Sequence, residues 1–140
     1  MAEVIARRRA AELGWDRVEV RSAGVAAFDG SPASGGAVRA AATNELDLTG
    51  HSATLLTEEE ASTADLILTM SVAHLMRVTE LGGGERAAML TSFAGGGADV
   101  PGGPIPDPVG GPDSEYEETF RTLDELITRV LERLEPVVAP

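Results

Sequence analysis

Cysteine is absent from all 140 residues, which removes disulfides, thiolate metal sites and thiol nucleophiles from what this chain alone can build. Long apolar runs are lacking as well. None approaches the roughly 18 residues of a membrane span, and the amino terminus carries no apolar stretch of the secretory type, so a cytoplasmic chain without membrane contacts is expected. Positive charge is scarce: 11 Lys and Arg residues stand against 23 Asp and Glu, for a net charge of -12. Nonspecific binding to nucleic acid or anionic lipid needs a positive field, so neither is an expected partner. Histidine is sparse, at 2 residues, and neither one sits with a clustered carboxylate pair, which argues against a metal site. No glycine-rich fingerprint follows a strand and opens a helix, so a nucleotide-binding reading has little support and no cofactor is expected.

What is present is an alternation of strand and helix signals over a length that suits one domain, residues 1–140. The opening stretch "MAEVIARRRAAELGW" is helical by period. Ala2, Ile5, Ala6, Arg9, Ala10 and Leu13 share a face, and Gly14 supplies a stop. "RVEV", Arg17 to Val20, alternates polar and apolar as a strand does, and Ser22-Ala23-Gly24 turns it. "ADLILTM", Ala64 to Met70, is a compact apolar run of the kind found in strands buried on both faces, and "RAAMLTSF" is a third, shorter strand signal. Helices are predicted over Gly35 to Asn44, after Thr57, and over Val72 to Leu81. Thr57 with Glu60 fits a capping box. The last helix is read from Tyr116, Phe120, Leu123, Ile127, Val130, Leu131 and Leu134, with Pro112 and Asp113 at its start. Together these predict an α/β fold, an open parallel sheet covered by helices. Such folds normally reach their first helix from a strand, so a strand is expected ahead of Met1.

Open α/β sheets bind ligands beyond the carboxyl ends of their strands. That rule selects "SAGVAAFDGSPAS", "SVAH" and the long "TSFAGGGADVPGGPIPDPVGGP". The last exceeds the roughly 12 to 15 residues usual for a structureless loop, so it is functional or mobile. Within it Asp107 lies between Pro106 and Pro108, where the backbone is restricted on both sides. A carboxyl group pinned in this way suits proton transfer, although the spacing alone favours a turn aspartate. On the residues alone, His51 reads as a satisfied core or surface histidine, Phe28 as core or site, and His74 as structural. Arg7, Arg8 and Arg9 point in different directions around a helix and read as solvated charge.

The ordered set "MAE", "VEVRSAGV", "LDLTGHSATLLTEEE", "ADLILTM", "AHLMRV" and "PDPVGGPDSEYEET" resembles the low-molecular-weight protein tyrosine phosphatases, including their bacterial arginine-phosphatase-like members, over essentially the whole chain. The resemblance implies a three-layer fold whose four-stranded parallel sheet has its first strand at the centre, between the "VEVRS" and "ADLILTM" strands. It also implies that the "MAE" helix directly follows a phosphate-binding loop of cysteine, five residues, arginine, serine and proline. That strand and loop are not in this sequence. Without a central strand, two ladders lose their partner, and either the flanking strands close up and pair directly or an edge is left that invites aggregation or swapping with another chain.

By the same resemblance, a full-length product hydrolyses phosphotyrosine or phosphoarginine through a phosphocysteine, with Asp107 as general acid and a phosphorylated protein or small phosphomonoester as substrate. Ser22 and His51 match positions that support the phosphate loop, and Phe28 matches an aromatic at the mouth of the site. Two departures stand out: Val109 replaces the aromatic common after Asp-Pro, and Thr54 lies where a basic or amide side chain is frequent. The 140-residue chain is therefore expected to be inactive alone. The alternative is a non-catalytic remnant that binds or regulates. The sequence fixes no oligomeric state.

Overall fold

In the computed structural model, residues 1–95 and 104–138 are described. Part of the long proline- and glycine-rich loop, residues 96–103, lies outside that range, while its Asp107 lies within it.

The opening helix, α1 (Ala2–Glu12), buries Ile5 and Ala10 and ends at Leu13, after which Gly14 turns the chain at a φ of 75°. That positive φ costs a residue with a side chain and suits glycine. Leu13, placed on the apolar face by its period, is exposed because the helix stops one residue earlier. Next, α2 (Gly35–Thr43) is small-residue rich and buries Gly36, Ala37, Ala40 and Ala41. A Cβ on Gly36 would lie 2.3 Å from the Tyr116 ring, so glycine is what lets the last helix approach. The short α3 (Glu58–Thr63) is opened by Thr57, whose hydroxyl accepts from the Glu60 amide at 3.3 Å. The three acids of its first turn face the positive end of the helix. Only one half of the predicted capping box forms, because the Glu60 carboxylate turns to Arg21 at 3.5 Å.

The apolar run from Ala64 yields β1 (Ile67–Thr69), which pairs in parallel with β2 (Ala87–Met89), Leu68 opposite Ala88. Between them α4 (Val72–Glu80) is capped by Ser71, whose hydroxyl accepts from the His74 amide. "RAAMLTSF" divides: three residues form β2, and Leu90–Ala94 forms helix α5. Finally α6 (Asp113–Val138) runs for 26 residues and buries the stripe from Tyr116 to Leu131, with Leu134 half-buried. Helices α1, α2 and α5 pack on α6, and α4 packs on the sheet. This is the α/β architecture that the sequence predicts.

One expected strand is not formed. Residues 17–20 lie outside any strand, and among the described residues the sheet has two strands. The alternation in "RVEV" is real, with Val18 and Val20 more buried than Arg17 and Glu19, but a strand also needs a partner on which to build a ladder. The nearest pairing comes later, where Gly24 forms an isolated parallel bridge with Leu55.

Helices α1 and α6 are joined by a two-pronged contact: Arg9 donates from Nε to Asp124 Oδ1 at 2.9 Å and from a terminal nitrogen to Oδ2 at 2.7 Å. The hydrogen bond from Arg9 holds the Asp124 carboxyl below its usual pKa, against an opposing desolvation. A depressed folded-state pKa means that this stabilisation is complete above about pH 4 and fades as pH falls through the folded value. We expect Arg9→Ala to lower stability by about 1 kcal/mol at pH 7, with a difference from the parent chain that shrinks below pH 4. Urea titrations at both pH values check this, and a pH-independent difference would contradict it.

Candidate active site

The carboxyl end of β1 positions the acid loop. Met70 carbonyl accepts from the Ile105 amide at 2.9 Å, which ties the chain just before Asp107 to the end of the sheet. Asp107 Oδ1 then accepts from the Val109 amide at 3.0 Å, and Pro108 carbonyl accepts from Gly111 at 2.8 Å. The predicted turn aspartate and the predicted pinned carboxyl are thus the same arrangement: one carboxylate oxygen shapes its own loop and leaves the exposed side chain a second oxygen.

A cavity of about 260 Å³ is lined by Met1, Ser34, Leu48, His51, Asp107 and Tyr116, among others. It brings the amino end of α1, His51 and Asp107 around one space. Tyr116 closes the cavity from α6, and its hydroxyl accepts from Ser34 Oγ at 3.2 Å. Val109 also lines this cavity and is mostly exposed.

His51 also lines a second cavity of about 450 Å³, with Glu3, Arg7, Arg21, Ser22 and Thr54. Glu3 is the residue that sequence reasoning missed. Its carboxylate accepts from Ser22 Oγ at 3.1 Å, lies 3.7 Å from His51 Nδ1 and pairs with Arg7 at 3.4 Å, while its side chain is only 13% exposed. Two of the residues predicted to support a phosphate loop, Ser22 and His51, are therefore coupled through one acid in the first turn of α1. The signal available in the sequence was the Glu3–Arg7 spacing, which places acid and base on one helical face.

Phe28 is not brought to this centre. It is 83% exposed on a loop tip and lines neither cavity, although that loop is anchored by Asp29 Oδ1, which accepts from the Leu55 amide at 2.7 Å. Its exposure removes the core reading. Among the described residues no group of three or more His, Cys, Asp or Glu is placed to hold a metal, and no helix is long and apolar enough to cross a membrane.

A family model described as low molecular weight phosphotyrosine protein phosphatase matches residues 1–138. The chain belongs to the low molecular weight phosphotyrosine protein phosphatase family. Among relatives of this phosphatase family, the protein-arginine-phosphatase of Bacillus subtilis is 32% identical over 136 residues, which cover 96% of this chain and 87% of the relative. A solved structure of a YwlE arginine phosphatase, a Cys→Ser mutant with a phosphorylated active-site serine, superposes with a TM-score of 0.88 at 31% identity, covering 96% of this chain and 86% of that one. A low molecular weight protein tyrosine phosphatase from T. tengcongensis gives a TM-score of 0.85 at 31% identity, with 95% and 88% covered. The α/β fold with its parallel sheet is thus the phosphatase fold, present in a chain without cysteine.

Proposed function

We propose that residues 1–140 are a single phosphatase-like domain that supplies the acid and the scaffold of a cytoplasmic protein phosphatase acting on phosphotyrosine or phosphoarginine. Its cysteine nucleophile lies in a loop ahead of Met1. The observation that carries this reading is the convergence of the amino end of α1, His51 and Asp107 on one cavity in a chain that contains no thiol. The YwlE structure supports it, because there a phosphorylated serine stands in for a cysteine of the active site.

The chemistry follows from the placement. Backbone amides at a helix amino end, with the helix dipole behind them, hold a phosphoryl group and lower the pKa of a thiol next to them. The thiolate forms a sulfur–phosphorus bond as the bond from phosphorus to the leaving oxygen or nitrogen breaks. Asp107, in its acid form, gives its proton to that leaving atom. The resulting Asp107 carboxylate takes a proton from the water that then cleaves the phosphocysteine, releasing phosphate and restoring both acid and thiolate. Glu3 orients His51 and Ser22 around the loop but transfers no proton in this scheme.

The missing thiol also favours a second reading, in which the chain binds phosphorylated partners without turnover. Both readings predict that the purified 140-residue chain hydrolyses p-nitrophenyl phosphate and phosphoarginine no faster than its Asp107→Asn variant. Turnover above that control would overturn the assignment of a cysteine nucleophile. Appending a strand and a cysteine loop before Met1 separates the two: activity supports the phosphatase, and a folded, inactive extended chain supports the binding protein.

A further inference from the structure

We infer that Arg39 is a positioning residue for Asp107: its ion pair with Asp113 holds the far end of the acid loop from outside and so sets where the Asp107 carboxyl stands. This deepens the reading of Asp107 as the general acid and rests on it.

The first observation is how few outside groups hold that loop. Among the described residues, the bonds from Val109 to Asp107 and from Gly111 to Pro108 lie within the loop itself. Two polar contacts reach residues 104–113 from other elements. At the entrance the Met70 carbonyl accepts from the Ile105 amide, and at the exit Arg39 donates from Nε and Nη2 to the two oxygens of Asp113, each at 2.9 Å. Asp113 is the first residue of α6, so its place is the place at which the loop ends. A two-pronged pair fixes orientation as well as distance.

The second observation is independent and lies in α2. That helix opens on two glycines, which weaken it, and each clears a group that bears on the start of α6. A Cβ on Gly35 would stand 3.0 Å from Arg39 Nη1, and one on Gly36 would run into the Tyr116 ring. Residues three and four apart share a helix face, so Arg39 lies beside both glycines. The first turn of α6 is thus gripped twice from α2, by packing at Tyr116 and by charge at Asp113. Tyr116 also lines the Asp107 cavity, so the grip borders the site.

Folding stability does not account for the pair. Its side chains are 63% and 59% exposed, and exposed pairs contribute little to folding. A direct contact with substrate does not account for Arg39 either, since it lines neither cavity and both prongs are taken by Asp113. The chain between Asp107 and the pair has little stiffness of its own, because Gly110 sits at a φ of 85° and Gly111 follows it. Released at its exit, the turn can pivot about Ile105.

The test reads the Val109 amide, whose acceptor is the Asp107 carboxylate. In the 140-residue chain, solvent exchange at Val109 and Gly111 measured by NMR is expected to quicken by about three-fold or more in Arg39→Gln and in Asp113→Asn, and no further in the double variant, while amides at the centre of α6 keep their rates. Salt at about 1 M should quicken exchange in the parent and add nothing in the variants, since an exposed pair is screened. Unchanged exchange at Val109 once the pair is removed overturns the inference. Faster exchange that spreads to the centre of α6, with a lower urea midpoint, overturns it as well, because that marks a bond that only holds the fold together. In a chain that carries the cysteine loop, Arg39→Gln is expected to lower kcat by about three- to ten-fold at constant KM, and to have no further effect when Asp107 is already asparagine. Equal losses on both backgrounds separate Arg39 from Asp107 and contradict the positioning role. An extended chain without turnover in any form counts against the phosphatase reading, and the exchange rates at Val109 then decide the role of Arg39 alone.

Discussion

In a chain extended to include the cysteine loop, Asp107→Asn is expected to lower kcat by roughly 100- to 10,000-fold, the usual worth of a general acid. The substitution isolates proton transfer. A carboxamide oxygen can still accept from the Val109 amide, now at 3.0 Å, so the Pro106–Asp107–Pro108 turn is retained, but the carboxamide has no acidic proton to give. The loss should therefore grow with the basicity of the leaving group, being smallest for p-nitrophenyl phosphate and larger for phenyl phosphate. KM should change little, since the lost interaction strengthens in the transition state rather than on binding. Equal losses for both esters would mean that Asp107 shapes the loop and carries no proton. An unchanged kcat would remove it from the site altogether.

The second large effect concerns the core that presents this site. Phe120 is 1% exposed and is the largest fully buried side chain among the described residues, near the amino-terminal end of the α6 stripe, and α1, α2 and α5 pack on α6. Truncation to alanine removes its transfer free energy and leaves a void that helices can only partly close, a combined cost of about 3 to 5 kcal/mol. Against a typical total of about 5 to 15 kcal/mol, that is enough to unfold a domain at the low end of the range. Urea denaturation of Phe120→Ala should show a correspondingly lower midpoint, or no folded baseline. Leu134→Ala, at a half-buried position of the same stripe, should cost clearly less. A loss below about 1 kcal/mol for Phe120→Ala would mean that α6 is not the organising element of the fold.

What could be read from the sequence follows how local each signal is. The α6 helix is legible because burial at every third or fourth residue follows the period of the helix itself, and Thr57 identifies itself as a cap through an amide three residues away. The strand read at "RVEV" fails for the opposite reason. Its pattern is local, but the hydrogen bonds that would define it belong to a partner elsewhere. The helix Leu90–Ala94 is hidden inside an apolar run, where period cannot separate a short helix from a strand.

The site shows the same division. The turn at Asp107 is legible because two prolines frame it, and the structure shows its carboxylate accepting inside that turn, whereas an acid role comes only from the family resemblance. Glu3 is not legible, since its meeting with Ser22 and His51 is made by three segments far apart in the chain. Phe28, expected near the site only from the resemblance, stands on an exposed tip and lines neither cavity, in a loop where Asp29 accepts from the Leu55 amide.

The central proposal is that a full-length product of this family member carries its nucleophile ahead of Met1. It is tested most directly by sequencing the native gene through the codons preceding Met1 and weighing the endogenous protein by intact mass spectrometry. The account predicts an in-frame apolar strand followed by a cysteine, five residues and an arginine, with a native mass above that of residues 1–140. A stop codon directly upstream, with a native mass equal to that of residues 1–140, would contradict it and leave a phosphatase fold that works by binding alone.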